Sequence, residues 1–430
     1  MRTMKKSFLG LLWIPGLFFS TSLLAYPLDG MKYTGIERLE GYRLVQQGQV
    51  PGHRLPPGAL LKTPEVDIRL LSRRDMTLPA VDSKFSKQVG SILGKQGGDY
   101  SIAILDLSDP DNPVYGEYRA GMRFNPGSIG KIAVAIGIFQ ALADIYPDDI
   151  EARERVLRSR IITADDFIRR DSHKVPFWNP QTGKLTHRRL QTGDQGTLWT
   201  YLDWMLSASS NAAASMLMKE LMLLRHFGQR YPVSTAEEVE YFSKTSRNVL
   251  GEVLERALED GVKGSGLNPA EFRQGKFFTS EGKRRVPGPS SHATPRELLR
   301  LLFHLEQGKV VDRFSSREIK RLLYMTQRRI RYASSPALAD AAVYFKSGSL
   351  YRCREEEGFE CGKYQGNVLN LLNSVAIVEA PAGDRQLFYM VVITTNILKK
   401  NAAVLHQSLG TWLHRLVEQR HVRGGGGLKN

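Results

Sequence analysis

Cysteine, clustered histidine and long apolar runs are all scarce in this chain. Only two of the 430 residues are cysteine, and the nine histidines are dispersed without paired ligand spacing. Because a protein metal site needs several such ligands at short spacing, we expect no metal and no cofactor. Beyond the N-terminal segment no apolar run is long enough to cross a bilayer, so we expect no stable membrane insertion.

Acidic residues are also fewer than basic ones. The chain has 44 Asp and Glu against 60 Lys and Arg, which gives a formal net charge of +16 and raises the question of nucleic-acid binding. The basic residues are scattered rather than striped, with no zinc-ligand spacing and no aromatic-basic RNA motif. The pattern predicts a solvated basic surface and no nucleic-acid partner, and it leaves open an unspecific attraction to anionic envelope polymers.

The N-terminus has the pattern of an export signal. Three basic residues precede the apolar stretch 8–19, and Ala25 ends a small-residue cleavage site. An uncleaved membrane anchor is the alternative, but the stretch is short and is broken by a Pro-Gly pair. We therefore expect a signal peptide over residues 1–25 and a periplasmic or secreted protein.

The hydrophobic pattern divides the mature chain into strand-like and helical blocks. Two strand-like runs, "DYSIAILDLS" and "PVYGEYRAG", precede a long helical block, and "AVYFKSGSL", "LLNSVAIVEA" and "QLFYMVVITTN" follow it. With a helix at each end, this order predicts an α+β fold, an antiparallel sheet flanked by helices with an inserted all-α domain. The predicted segments are an extended N-terminal arm (26–79), a discontinuous sheet domain (80–126 and 336–420), a helical domain (127–335) and a flexible tail (421–430).

The apolar helix in "FNPGSIGKIAVAIGIF" begins with a serine and a lysine three residues apart. One helical turn brings Lys131 near the hydroxyl of Ser128. Burial among apolar residues favours a neutral amine, which can take the proton of an otherwise poorly nucleophilic serine. The competing interpretation is a helix-capping serine with an unrelated lysine. A second copy, Ser280 to Lys283, has no apolar helix after it and is interpreted as a surface loop.

Two further motifs follow in order. "WMLSASSNAAASMLM" places Ser209 and Asn211 just before an alanine-rich helix, where they also suit a cap, and Ser246–Asn248 is a rival match in a polar setting. "VYFKSGSLY" begins its motif at Lys346 and is the only Lys-Ser/Thr-Gly run in the chain. Glycine weakens a strand unless another backbone has to approach closely, so Gly348 indicates a functional constraint.

Ser-x-x-Lys, Ser-x-Asn and Lys-Ser-Gly in this order resemble the motifs of the penicillin-recognising serine hydrolases, most closely the class A β-lactamases. "SSHATPRELLRLL" before a helix and the strands "FKSGSL" and "FYMVVITTN" extend the resemblance, which covers roughly residues 82–419. The resemblance implies a five-stranded antiparallel sheet, an inserted helical domain and a site at their junction.

The resemblance also implies a role for each motif residue. Ser128 is the acylated nucleophile and Lys131 its general base or proton relay. Ser209 passes a proton to the leaving nitrogen, and Lys346 orients that relay electrostatically. The residues implied for substrate binding are Asn211 for an amide, Ser347 for a carboxylate, Ser349 with the Ser128 backbone for the oxyanion hole, and Gly348 for a substrate lying along the strand.

The chain departs from the class A pattern at two places. Ser210 stands where that class commonly has aspartate. The glutamate that activates the deacylating water lies in a Glu-x-x-Leu-Asn loop, and the best match here, "GSGLN", has Gly264 at that place. The nearby acidic residues are interpreted as solvated charges: Glu259, Asp260, Glu271 and Glu281. No deacylating base is evident.

Three functions follow from this resemblance. The first is β-lactamase-like hydrolysis of β-lactams through an acyl-enzyme on Ser128. Slightly behind it stands a penicillin-binding D-alanyl-D-alanine peptidase acting on peptidoglycan stem peptides. The third is a non-hydrolysing sensor of β-lactams or muropeptides, which the presence of all three motifs disfavours.

The two cysteines are expected to pair. In an oxidising compartment Cys353 and Cys361 would form a local disulfide. Because they follow the Lys-Ser-Gly strand directly, the loop between them is expected to close a hairpin that flanks the cleft, with stapling as its main role.

Overall fold

The computed structural model describes residues 28–324 and 329–424. The predicted signal peptide at 1–25 and the end of the predicted tail, 425–430, lie outside this part of the chain. The beginning of that tail is helical, because the last helix extends to Gly424 instead of ending at 420.

A five-stranded antiparallel sheet forms the centre of the fold. Its strands are β1 (Tyr100–Asp106), β2 (Val114–Tyr118), β9 (Ala342–Arg352), β10 (Leu369–Ala380) and β11 (Leu387–Asn396). They pair in the order β2-β1-β11-β10-β9. All five strand-like runs of the sequence are therefore strands, and the α+β fold class is confirmed.

Helices cover both faces of this sheet. They are α1 (Met31–Thr34), α2 (Arg38–Gln46), α3 (Ser83–Ser91), α4 (Lys131–Ile145), α5 (Ile150–Ser159), α6 (Leu198–Leu206), α7 (Asn211–Phe227), α8 (Thr235–Lys244), α9 (Arg247–Gly264), α10 (Ser280–Arg285), α11 (Pro295–Glu306), α12 (Arg313–Tyr324) and α13 (Ala402–Gly424). In β1, Ile102 and Ile104 pack in one buried cluster with α3 and α13, whereas Ala103 and Leu105 pack in another with α4, α11 and α12. Burial on both faces explains why the strands are continuously apolar in sequence.

Three small two-stranded sheets accompany the helices of the inserted region. Their strands are β3 (Ile161–Thr163) with β6 (Gln195–Thr197), β4 (Val175–Asn179) with β5 (Lys184–Arg188), and β7 (Phe272–Arg273) with β8 (His292–Ala293). The sequence predicts only helices and loops here. Strands of two to five residues are too short for an alternating pattern to be recognised.

The helix that carries Lys131 is long and strongly apolar. The stretch Gly127–Ile145 is long and apolar enough to cross a membrane by length and composition, so the expectation that no such run follows the N-terminal segment is wrong. In the structure 78% of this stretch is buried inside the protein, which is the position of a core helix.

The N-terminal segment is not an extended arm throughout, as the sequence predicts, because α1 and α2 lie within it. Arg38 of α2 forms a buried ion pair with Asp203 of α6. Further along, the Leu61 N–H donates to the hydroxyl of Tyr324 in α12 at 2.9 Å. These bonds attach the segment to two helices of the main body.

A cluster of buried charges holds the end of this segment. Lys320 Nζ lies 2.6 Å from Glu306 Oε1 and 2.8 Å from Glu379 Oε1, and it donates to the Asp67 carbonyl oxygen at 2.7 Å. Arg69 Nη2 lies 2.9 Å from Glu379 Oε2. Burial acts to raise the pKa of Glu379, but Lys320 and Arg69 outweigh it and hold that pKa below its usual value.

Lys320→Met is expected to destabilise the protein by about 3–5 kcal/mol, because it leaves Glu306 and Glu379 buried without the cation they share. Thermal and urea unfolding would measure the loss. The control is Lys244→Met, which removes an exposed lysine from an i,i+4 pair with Glu240 and should change stability little. Equal stability of the two variants would contradict the importance of the buried cluster.

Candidate active site

The Ser128 turn packs directly against strand β9. Residues Gly127–Gly130 form one 3-10 turn before α4, and Gly127 has a left-handed backbone with φ +53°. A Cβ on Gly348 would lie 2.2 Å from the Pro126 carbonyl oxygen and 2.7 Å from Ser128 N. Only glycine permits this approach, which places the Ser128 N–H beside the backbone of β9.

Lys131 is fully buried next to Ser128. Its Nζ lies 2.9 Å from Ser128 Oγ, 2.7 Å from Asn211 Oδ1 and 2.6 Å from the Ser209 carbonyl oxygen. Burial lowers the pKa of Lys131 to about 7, against a smaller opposing effect of the Asp171 charge. Two of the three partners can only accept hydrogen bonds. When Lys131 is neutral, its lone pair is therefore directed to the Ser128 hydroxyl.

Ser209 has a left-handed backbone, φ +59°, which is uncommon for a residue other than glycine. Its hydroxyl lies between the two buried lysines. Lys346 Nζ donates to Ser209 Oγ at 2.8 Å, and Lys131 Nζ lies 3.5 Å from the same atom. Backbone strain of this kind costs about 1–3 kcal/mol and persists where the surrounding structure imposes it. The position suits a hydroxyl that carries a proton between the lysines and a substrate.

The site contains a buried arginine that the sequence did not indicate. Arg331 Nη1 donates to Ser347 Oγ at 2.7 Å and Nη2 to Ser349 Oγ at 3.3 Å. These serines are two residues apart and so lie on the same side of β9. The guanidinium lies 4.7 Å from the Tyr364 ring centroid, and burial lowers the pKa of Arg331. Its planar fork suits a carboxylate, and no local motif in "RRIRY" reveals it.

A carboxylate from a distant loop occupies the surroundings of Ser210. Asp171 Oδ2 accepts from the Ser210 hydroxyl at 3.0 Å and from the Ala212 N–H at 2.9 Å, at the start of α7. Its Oδ1 lies 2.6 Å from His173 Nδ1. Burial acts to raise the pKa of Asp171, but the hydrogen bonds and charge of His173 outweigh it and hold the pKa far below its usual value. A carboxylate from another part of the chain thus lies beside Ser210, where the resemblance implies an aspartate.

A cleft of about 310 Å³ opens beside Ser128. Its walls include His173, Asn211, Ser349 of β9 and several residues of the segment 274–291. No aspartate or glutamate is among the described residues that line it. In residues 28–324 and 329–424, no group of three His, Cys, Asp or Glu is placed to hold a metal ion.

The loop that faces Ser128 is not the one that the sequence match selected. Gly264 ends the eighteen-residue helix α9 and lies against Gln140, so the glutamate position predicted there is wrong. The long helix moves the loop further along the chain. Phe278 lies in the cleft instead, with its ring centroid 4.8 Å from Lys131 Nζ. A hydrocarbon ring, which can take no proton, therefore lies next to Lys131.

The rival motifs do not join the Ser128 cluster. Ser246 caps α9, and its hydroxyl accepts from the Val249 N–H at 3.4 Å. Ser280 is exposed and begins α10, a short helix rather than the predicted loop. Lys283 does line the cleft, which the sequence did not predict.

Cys353 and Cys361 form the predicted disulfide, with Cα atoms 6.2 Å apart. The bond closes a loop at the beginning of the connection from β9 to β10. Leu350, three residues before the first cysteine, lines the cleft. The disulfide loop therefore begins close to the cleft wall.

Solved structures that are similar to this chain share little sequence with it. PBP-A is 14% identical with a TM-score of 0.48, and the match covers 80% of this chain and 100% of PBP-A. A class A beta-lactamase from Bacteroides cellulosilyticus DSM 14838 is 15% identical with a TM-score of 0.49, covering 79% and 100%. A beta-lactamase from Chitinophaga pinensis DSM 2588 is 16% identical with a TM-score of 0.48, covering 80% and 100%.

The family relationship is shown by sequence. No curated protein sequence matches the chain. A family model described as "Beta-lactamase enzyme family" matches residues 84–415, well over half of the 430 residues, and includes all three motifs. The chain therefore belongs to the beta-lactamase enzyme family.

Proposed function

We propose that this protein is a serine hydrolase that forms an acyl-enzyme on Ser128 and acts on peptides ending in D-alanyl-D-alanine. The 2.9 Å contact between Ser128 Oγ and the buried Nζ of Lys131 carries the proposal. A lysine with an ordinary pKa is charged at neutral pH and takes no proton. Since burial lowers this pKa to about 7, the neutral form of Lys131 is available near neutral pH.

Acylation then follows from the geometry. Neutral Lys131 takes the proton of Ser128 as Oγ attacks the substrate carbonyl carbon. In this proposal the backbone N–H groups of Ser128 and Ser349 stabilise the oxyanion that forms. When the carbon–nitrogen bond breaks, Lys131 returns a proton through the Ser209 hydroxyl to the leaving nitrogen, so Lys131 ends neutral and Ser128 acylated.

Two other groups are suited to position the substrate. The serines of β9, with Arg331 behind them, form a cationic and hydroxyl-rich place for the substrate carboxylate. Asn211 extends an amide into the cleft beside Lys131, where it can hold a substrate amide. Both contacts orient the carbonyl carbon over Ser128.

The cleft favours peptidase activity over rapid β-lactam hydrolysis, which reverses the order that the sequence resemblance gives. No described carboxylate lines the cleft, and the Phe278 ring occupies the space next to Lys131. In an opened β-lactam the leaving nitrogen stays covalently attached over the site. The amine of a cleaved peptide departs, so a water molecule can reach Lys131.

Intact mass spectrometry with benzylpenicillin tests the proposal. We expect a one-to-one adduct on Ser128 that persists for hours. Return to the free mass within minutes would support the β-lactamase alternative, and the absence of any adduct would overturn the acyl-enzyme proposal. Release of D-alanine from a synthetic peptide ending in D-alanyl-D-alanine tests the substrate class directly.

The rate of acylation should rise with pH up to about 7 and then level off. Lys131 acts in its neutral form, and a lowered pKa makes that form available at lower pH. Below pH 7 the rate should therefore fall about tenfold per unit. Labelling by a fluorescent penicillin between pH 5 and pH 9 measures the profile. A rate that keeps rising towards pH 10 would show that Lys131 has an ordinary pKa.

We also propose that the protein works outside the cytoplasm. The basic and apolar pattern of residues 1–25 and the Cys353–Cys361 disulfide support this location, because disulfides persist in oxidising compartments. Fractionation of cells that express the full chain tests it, and accumulation of the uncleaved chain in the cytoplasm would contradict it.

A further inference from the structure

The residues of segment 274–291 that face the cleft carry positive charge and no negative charge. Lys276 and Lys283 both line the cleft, and no aspartate or glutamate among the described residues does. His173 lines it as well, but the Asp171 carboxylate lies 2.6 Å from its ring and balances any charge that it carries. The two lysines therefore set the sign of this wall.

Local structure explains why these lysines have no carboxylate partner. Glu281 is the acidic residue of α10, and its oxygens accept from Arg284 at 2.6 and 2.9 Å and from Arg285 at 2.7 Å. Lys283 on the same helix is left without it. In the described part of the chain neither Lys276 nor Lys283 forms an ion pair, and both side chains are exposed. Unpaired cations on a cleft wall are available to a ligand.

A buried glutamine side chain also holds the backbone of Lys276 in place. The buried Gln274 donates from Nε2 to the Lys276 carbonyl oxygen at 2.6 Å, and a Cβ on Gly130 would lie 1.9 Å from Gln274 Oε1. Gln274 is therefore packed against the turn that carries Ser128. This contact ties the position of Lys276 to the reacting serine.

We propose that the cleft selects acyl donors that carry a second anionic group, held by Lys276 and Lys283. This inference rests on the proposed acylation of Ser128. The substrate carboxylate at the β9 end belongs to the leaving part of the donor. The cations of segment 274–291 are left to meet the acyl part, so the donor is a peptide or β-lactam whose acyl chain has its own carboxylate.

Three penicillins that differ at one position test this selectivity. Benzylpenicillin, its α-carboxy derivative and its α-amino derivative share the reactive ring and carry no charge, a negative charge or a positive charge on the acyl chain. The measured quantity is the second-order rate constant for acylation of Ser128, followed by intact mass. Exposed lysines are each worth less than a factor of ten, so we expect a preference of about tenfold for the α-carboxy compound. The α-amino compound should react more slowly than benzylpenicillin, and added salt should reduce the differences.

Two double variants test whether Lys276 and Lys283 cause the preference for the α-carboxy compound. The double substitution Lys276→Gln and Lys283→Gln should bring the ratio of the α-carboxy to the benzylpenicillin rate constant close to one. The control, Lys84→Gln with Lys87→Gln, removes the same charge from α3 on the other face of the sheet and should keep the wild-type ratio. Thermal unfolding checks that both variants are folded.

Each outcome decides between the two proposals. If benzylpenicillin labels Ser128 but the α-carboxy compound reacts no faster, the selectivity is overturned and the acyl-enzyme stands. A preference that survives the loss of both lysines also overturns the selectivity. If none of the three penicillins labels the protein, the acyl-enzyme proposal fails and the selectivity fails with it.

Discussion

Ser128→Ala is expected to abolish labelling by penicillins, with a loss of at least about a thousandfold in the acylation rate. The substitution removes the attacking oxygen, and the other hydroxyl near Lys131, that of Ser209, lies 3.5 Å from Nζ and is engaged by Lys346. Lys131 keeps its bonds to Asn211 and to the Ser209 carbonyl oxygen. The fold should therefore be retained, and thermal unfolding and circular dichroism would show it.

Ser280→Ala is the matched control. Ser280 also begins a Ser-x-x-Lys run, but it is exposed on α10. This variant should label like the wild type, and peptide mapping of the wild-type adduct should place the acyl group on Ser128. Labelling that survives Ser128→Ala would mean that another residue is the nucleophile.

The three motifs were predictable because each is a local pattern. A turn before an apolar helix, a hydroxyl and amide before a second helix, and a glycine within a strand can all be recognised within a few residues. Their meeting depends on the fold, and the structure brings Ser128, Lys131, Ser209 and Lys346 into one hydrogen-bonded cluster. The roles implied for these residues stay predictions until they are tested by substitution.

Arg331 and Asp171 were not predictable, because neither belongs to a local pattern. Each hydrogen-bonds to a residue that lies well away from it in sequence. Arg331 reaches across to β9, and Asp171 reaches the start of α7 from a loop in the inserted region. Such contacts depend on side-chain direction after folding. In the sequence, a charged residue in a polar segment looks the same whether it will be buried in a site or exposed to solvent.

The sequence also did not show which residue of the segment between α9 and α10 would lie next to Lys131. The match to "GSGLN" placed the base position at Gly264, whereas α9 continues to that residue. Only two residues of this five-residue motif are matched, Leu267 and Asn268, and so short a match is weaker evidence than the helical pattern that leads into it. As a result nothing in the sequence indicated that Phe278 lies next to Lys131.

Phe278→Glu is expected to accelerate release of a bound penicilloyl group at least about a hundredfold. The Phe278 ring centroid lies 4.8 Å from Lys131 Nζ, so a carboxylate on this side chain would come within reach of a water molecule beside Ser128. A positioned general base contributes about 10²–10⁴ to a rate. The new charge should also raise the pKa of Lys131 and move the pH profile of acylation upwards.

The variant Phe278→Gln distinguishes the effect of a new general base from the effect of removing the aromatic ring. Glutamine has the shape of glutamate and admits the same water, but its amide takes no proton at neutral pH. If the glutamate variant alone releases penicillin quickly, slow release in the wild type follows from the missing base. If both variants release it equally fast, the aromatic ring acts by excluding water. If neither does, the deacylating water approaches from another side, and the explanation for a persistent adduct has to be sought away from Phe278.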